Sequence, residues 1–143
     1  SELPDRLEWG VDFLQDNPGY MLTPHTDHCK KVLSILFYMP YDDDARTQRS
    51  GTAMYRPMKR APKDMKCMAT MPDFTGFKET LRASYASNVM FAFAPCKGSW
   101  HGVPPSKTHR RQLFLWLRFV NASRYTLGPC QTRQPASSKR PPA

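Results

Sequence analysis

Short apolar segments that end at or near a proline recur along the chain, and this pattern limits its fold most strongly. The sequence holds 14 prolines against 7 glycines, and a proline neither continues a helix nor donates to a sheet ladder. Segments of strand length, rich in β-branched and aromatic residues, lie at 20–27, 31–39, 51–56, 88–94 and 110–120. Only residues 78–85 favour a short helix. The chain is therefore expected to be mainly β, a sandwich or barrel, a class that includes the jelly roll.

The composition changes near residue 120. Residues 1–120 carry the apolar segments and predict one folded domain. Residues 121–143 are poor in large apolar side chains, rich in Ser, Pro and Gln, and hold four basic residues and no acid. This part of the sequence predicts a basic, disordered tail.

The formal charge of +9 favours an anionic partner only in part. Four of the basic residues lie in the tail, and a further cluster lies at 59–66 in an expected loop. A solvated basic surface is therefore favoured over a nucleic-acid site.

Four cysteines are present, Cys29, Cys67, Cys96 and Cys130, and they form no CxxC pair. Disulfide frameworks and structural zinc sites usually have tighter spacing, so free thiols are predicted. The chain also has no apolar run of 18 residues and no signal-peptide pattern at its start. We expect a cytoplasmic protein that makes no contact with a membrane.

The tetrapeptide Pro24-His25-Thr26-Asp27 is the first segment that points to a reaction. Residues two apart on a strand share a face, so His25 and Asp27 would project together and Thr26 away. His101, 76 residues after His25, is the candidate for a third ligand to a divalent metal. Two histidines and one carboxylate leave three coordination positions open, the arrangement of non-heme iron(II) oxygenases.

Two arginines follow His101, and a guanidinium there could bind the far carboxylate of a dicarboxylic co-substrate with two parallel hydrogen bonds. Alternation along the strand separates them. One face joins Arg110 to Gln112, Phe114 and Trp116. The other joins Arg111 to Leu113, Leu115 and Leu117. A polar and aromatic series suits a pocket better than a leucine series, so Arg110 is favoured and Arg111 is the alternative.

In order and spacing these segments resemble the iron(II)/2-oxoglutarate-dependent oxygenases, closest to the prolyl-hydroxylase-like members. The resemblance runs from about residue 19 to 119. It is carried by YMLTPHTD at 20–27, LSILFY at 33–38, Gly51-Thr52 with Tyr55, residues 88–93, WHGV at 100–103 and RRQL at 110–113.

The resemblance implies a double-stranded β-helix, or jelly roll, with an iron(II) site. His25, Asp27 and His101 would ligate the iron, Arg110 would bind the 5-carboxylate of 2-oxoglutarate, and Tyr38 would help to hold it. O₂ would be the oxidant, with ascorbate as a candidate auxiliary. A carboxylate at 27 favours hydroxylation, since related halogenases have a small residue there.

Two departures from the family accompany this interpretation. Only 24 residues precede His25, so the usual N-terminal helical layer is expected to be reduced or missing, and the face of Leu113 to be uncovered. An uncovered apolar face predicts a homo-oligomer. Gln112 also replaces a small hydroxyl residue.

The substrate is expected to be an amino acid, a peptidyl proline or another small metabolite. The alternatives are a nucleic-acid-directed relative, whose binding falls steeply with salt, and a non-catalytic jelly-roll binding scaffold.

Overall fold

The computed structural model describes residues 6–41, 49–59 and 67–120 as two antiparallel sheets, with no helix in these ranges. Eight strands lie within these described ranges: β1 Leu7–Asp16, β2 Leu22–His25, β3 Lys31–Tyr38, β4 Ala53–Pro57, β5 Phe77–Arg82, β6 Met90–Phe93, β7 Trp100–Val103 and β8 Arg110–Phe119. The first sheet has the order β1-β8-β3-β6, and the second has the order β2-β7-β4-β5.

In sequence order, the first strand pairs with the last, and the pairs then continue toward the middle of the chain: β1 with β8, β2 with β7, β3 with β6 and β4 with β5. This pairing folds the chain back on itself as a jelly roll, so the predicted fold class is confirmed. Within the described ranges, no helix is long and apolar enough to cross a membrane. The predicted tail at 121–143 lies outside the described residues.

The predicted helix around 78–85 is wrong, because most of this segment forms β5. Lys78, Glu79 and Leu81 are good helix formers in isolation. However, the segment pairs with β4 from Ala53↔Arg82 to Pro57↔Phe77. Hydrogen bonds to a neighbouring strand are long-range contacts, and here they override the local helix preference.

The prediction of free thiols is also wrong, because Cys29 and Cys67 form a disulfide with a Cα–Cα distance of 5.3 Å. Cys96 is disulfide-bonded as well. The Cys29–Cys67 pair is 38 residues apart in sequence, so spacing alone gave no sign of it. The cysteines meet because residues 67–71 run antiparallel beside β2: the Thr26 amide donates to the Ala69 carbonyl at 2.9 Å.

The core lies between the two sheets in two buried clusters. One surrounds Leu36, Tyr38 and Tyr85, and the other surrounds Ala53, Tyr55 and Trp100. Polar residues are buried between these clusters, among them Asp27, His101 and Arg110. Burial of a charged group costs free energy unless the group is paired. Apolar packing therefore does not explain why these polar side chains lie between the two sheets.

The outer face of the first sheet is apolar and partly exposed. On β1 the side chains of Trp9, Val11 and Phe13 are 57%, 60% and 61% exposed. The register places them directly beside Leu117, Leu115 and Leu113 of β8. Exposed apolar patches of this kind mark surfaces that associate.

Candidate metal centre and its two cavities

Two histidines face each other across paired strands at the centre of the fold. His25 ends β2, His101 lies on β7, and the antiparallel register sets them directly opposite. Their ring centroids are 4.1 Å apart. Gly102 permits this approach, because a Cβ atom there would collide with the Leu22 carbonyl oxygen of β2. The WHGV segment therefore positions a histidine and supplies the small residue that lets the strands close on it.

Asp27 joins the histidines from the segment that follows β2. Thr26 between them turns away, and its hydroxyl accepts the Ala69 amide at 3.2 Å. The potential ligand atoms of His25, Asp27 and His101 all lie within 4.8 Å of one another. The structure thus brings together the three residues that the sequence singled out as metal ligands.

Hydrogen bonds fix how each imidazole is presented. His25 Nδ1 lies 3.0 Å from the Thr23 carbonyl oxygen, and His101 Nδ1 lies 2.9 Å from that of Ser99. A carbonyl only accepts, so Nδ1 carries a hydrogen in both rings, and in the neutral form of such a ring the lone pair lies on Nε2, where a ligand can bind. Such outer hydrogen bonds are the usual supports of metal-binding histidines.

The charge states of the cluster also suit a cation. Burial, and then the nearby His25, lower the pKa of His101 to about 4, although Asp27 opposes the shift. Burial raises the pKa of Asp27, but Lys31 and then His101 outweigh it, and the net direction is down. At neutral pH the cluster therefore presents a neutral His101 imidazole and a carboxylate.

Asp27 is held by two donors. The Lys31 ammonium donates to Oδ1 at 2.7 Å, and the Ser34 hydroxyl donates to Oδ2 at 2.9 Å. Lys31 also lies 4.6 Å above the ring of Phe114, so its position is fixed from two sides. These contacts orient the carboxylate toward His101, whose Nε2 is 4.0 Å from Oδ2.

An inner cavity of about 130 Å³ runs between the sheets from this cluster. Its apolar walls include Leu36, Phe93 and Phe114, and its lining also holds Arg110 and Gln112. Alternation correctly placed Arg110, Gln112 and Phe114 on one inward face. Arg111 lies outside the lining, with its guanidinium stacked 3.3 Å from the ring centroid of Tyr41.

Arg110 is fully buried and makes three hydrogen bonds. Nε donates to the Ser50 carbonyl at 2.6 Å, one terminal nitrogen to Asp16 at 2.5 Å, and the other to the Gln112 amide oxygen at 3.2 Å. A guanidinium has five N–H groups, so two remain for a ligand once the bonds to described residues are counted. Burial raises the pKa of Asp16, although the Arg110 charge opposes the shift. Sequence reasoning missed Asp16, since nothing local marks a residue 94 positions from its partner.

Tyr38 lies in the core beside this region and does not line the cavity. Its hydroxyl accepts the Thr52 amide at 3.1 Å, and burial raises its pKa. A role for Tyr38 in holding a co-substrate stays a prediction.

Thr52 is the residue of this site to which the sequence assigned no role. It is 4% exposed and lines the inner cavity, yet its hydroxyl has no hydrogen-bond partner among the residues that the structure describes. A buried hydroxyl without a partner is costly, so it calls for an acceptor or donor from outside the chain. Only the burial of its side-chain oxygen, which requires the fold, could reveal it.

An outer cavity of about 560 Å³ opens on the other side of the cluster. Four residues border both cavities, His25, Asp27, Lys31 and Phe114, so two of the three candidate ligands lie at the boundary, while His101 lines only the inner cavity. The residues that line only the outer cavity are Thr26, His28, Lys30, Met68, Thr70, Trp116 and Arg118.

The indole of Trp116 is fixed on three sides. Its Nε1 donates to Asp12 at 3.0 Å, and the Arg118 guanidinium lies 4.6 Å from its centroid. The ring lies over Gly10 of β1, where a Cβ atom would overlap it. Trp116 is therefore a fixed part of the outer cavity wall.

Comparison with known proteins supports the fold and leaves the family open. No family model matches the chain, and no curated protein matches it at a significant level. Among solved structures, it is similar to a prolyl-4-hydroxylase of Pseudomonas putida, with a TM-score of 0.50 and 16% identity. The match covers 79% of this chain and 54% of the other, so the chain spans about half the length of that protein.

Proposed function

We propose that this protein is an iron(II)- and 2-oxoglutarate-dependent dioxygenase that hydroxylates an unactivated C–H bond of a small molecule or peptide. The observation that carries the proposal is the His25, Asp27 and His101 cluster, whose ligand atoms lie within 4.8 Å at the boundary of two cavities. One cavity suits a co-substrate and the other a substrate.

The donor set fits iron(II). A carbonyl engages Nδ1 of each histidine, which leaves Nε2 as the potential ligand atom, and Asp27 adds a carboxylate oxygen, which gives two imidazoles and one carboxylate. When bound, the iron would activate O₂ at the expense of 2-oxoglutarate and oxidise a nearby C–H bond. The chain itself holds the ligands, excludes water with Leu36 and Phe93, and places the substrate.

The inner cavity fits a dicarboxylate that reaches from the metal to Arg110. Arg110 keeps two N–H groups for a terminal carboxylate, and the hydroxyl of Thr52 can donate a third hydrogen bond. Tyr38 can support this end of the cavity by holding the Thr52 amide in place.

The charges of the inner cavity also agree with this ligand. Asp16 balances Arg110, and Asp27 balances Lys31. Iron(II) carries two positive charges and 2-oxoglutarate carries two negative charges. Bound together, they would add no net charge to this buried space, where an unpaired charge is strongly disfavoured.

Disulfide bonds persist in oxidising compartments. The Cys29–Cys67 bond therefore favours such a compartment over the cytoplasm that the sequence predicted.

Anaerobic titration with iron(II) and 2-oxoglutarate tests the proposal, with the weak visible charge-transfer band as the readout. We expect the band in the wild-type protein, its loss in His101→Ala, and its retention in His109→Ala, a matched change at an exposed histidine outside both cavities. Succinate formation under air then tests turnover. A wild-type protein with no band at saturating iron and 2-oxoglutarate would overturn the proposed function and favour a non-catalytic scaffold.

A further inference from the structure

We propose that the outer cavity selects a substrate that carries an anionic group, a carboxylate or a phosphate, next to an apolar portion. The inference rests on the proposed function, because it names the class of substrate that the same site would accept. It is carried by Lys30, Trp116 and Arg118, which border the outer cavity and not the inner one, together with the ring of Phe114, which borders both.

Most cations around the two cavities are matched to a carboxylate. Lys31 pairs with Asp27 at 2.7 Å, and Arg110 pairs with Asp16 at 2.5 Å. Lys30 differs, since no carboxylate of the described residues lies within ion-pair distance of it. Asp27 is the only acid in the described lining of this cavity, and it is a candidate metal ligand. Among the described residues, Lys30 is therefore the cation of this cavity that an incoming anion would meet without a paired carboxylate.

Arg118 adds a second cation at the rim. Its Nε donates to Glu8, but this pair is half-exposed and so contributes little attraction of its own. No described residue accepts a hydrogen bond from its terminal nitrogens, which are the two that fork onto a carboxylate or phosphate. Stacking on Trp116 holds the guanidinium in place beside the cavity.

Two aromatic side chains, Phe114 and Trp116, form an apolar part of the remaining wall. Phe114 borders both cavities, and Trp116 is fixed by Asp12 and by the absence of a side chain at Gly10. An apolar or ring portion of a substrate would lie against these two side chains. With the anion at Lys30 and Arg118, this arrangement directs the opposite end of the molecule toward His25 and Asp27.

The test measures binding of a matched set of probes, 4-phenylbutyrate, its neutral amide and the cationic 4-phenylbutylamine, by ligand-observed NMR. The protein is loaded with manganese(II) and saturating 2-oxoglutarate, so the inner cavity is filled and no turnover occurs. We expect the carboxylate to bind at least about fivefold more tightly than the amide, and the amine most weakly.

The substitutions Lys30→Met and Arg118→Met should each reduce the preference for the carboxylate. Lys78→Met on β5 is the matched control, because Lys78 is exposed and borders neither cavity. Equal affinity for carboxylate and amide, or an equal loss of preference in Lys78→Met, would overturn the inference. The same probes are also titrated into the metal-free protein, which measures the preference for carboxylate over amide without the metal. If the proposed function fails, this measurement still tests the outer cavity by itself.

Discussion

Replacement of Arg110 by methionine tests whether the buried polar centre is held by a specific ion pair. The side chain of Arg110 is fully buried, and that of its partner Asp16 is 12% exposed. Methionine keeps the length and most of the apolar stem but removes the guanidinium. Asp16 would then be left as a carboxylate with little water and no cation.

Removal of one partner from a buried ion pair costs about 3–5 kcal/mol, because the other charge is left uncompensated. The slight exposure of Asp16 places the expected loss of unfolding free energy near the lower end, at about 3 kcal/mol. In an Asp16→Asn background the stranded charge is absent. Arg110→Met should therefore cost about 2 kcal/mol less there than in the wild-type background.

Urea unfolding of the wild type, both single variants and the double variant closes the cycle, with tryptophan fluorescence and far-UV circular dichroism as paired probes. Coincident transitions show that each unfolding free energy is well defined. A matched change, Arg111→Met, removes a guanidinium from the opposite face and should show no coupling to Asp16. A loss under about 1 kcal/mol for Arg110→Met, or equal losses in both backgrounds, would refute the reasoning.

Three further predictions concern the co-substrate, the disulfide and the outer sheet face. Thr52→Val should weaken 2-oxoglutarate binding about 10- to 100-fold in the charge-transfer titration, while Thr52→Ser binds like the wild type. The stability of the free Thr52→Val protein should be unchanged or higher, since the lost hydroxyl has no partner; a destabilised variant with normal binding contradicts the assignment. The double change Cys29→Ser with Cys67→Ser should lower the unfolding free energy by about 4 kcal/mol, from the loop entropy of a 38-residue separation. An unchanged urea midpoint would count against the bond. Sedimentation velocity should show concentration-dependent self-association that is weakened by Val11→Lys with Phe13→Lys, and a monomer at all concentrations would exclude the predicted homo-oligomer.

The sequence predicts the parts of this site that follow from strand alternation. His25 and Asp27 project together because they are two apart, and Thr26 turns away. The same alternation places Arg110 rather than Arg111 on the inward face. These predictions need only the period of a strand and a sense of which face is polar.

The rest depends on contacts between distant segments. The β5 segment has the composition of a helix and becomes a strand only because β4 lies beside it. Asp16 reaches Arg110 across 94 positions, through the pairing of the first and last strands. The Cys29–Cys67 bond forms because residues 67–71 return alongside β2, and no local pattern signals this return.

Gly10 has a consequence that reaches beyond its own strand. It borders neither cavity, yet the indole of Trp116 occupies the space that a side chain at this position would need. Any larger residue there would have to displace this ring, which forms part of the outer cavity wall. A substitution at this single position would thus change the range of substrates that the outer cavity accepts, although residue 10 borders neither cavity.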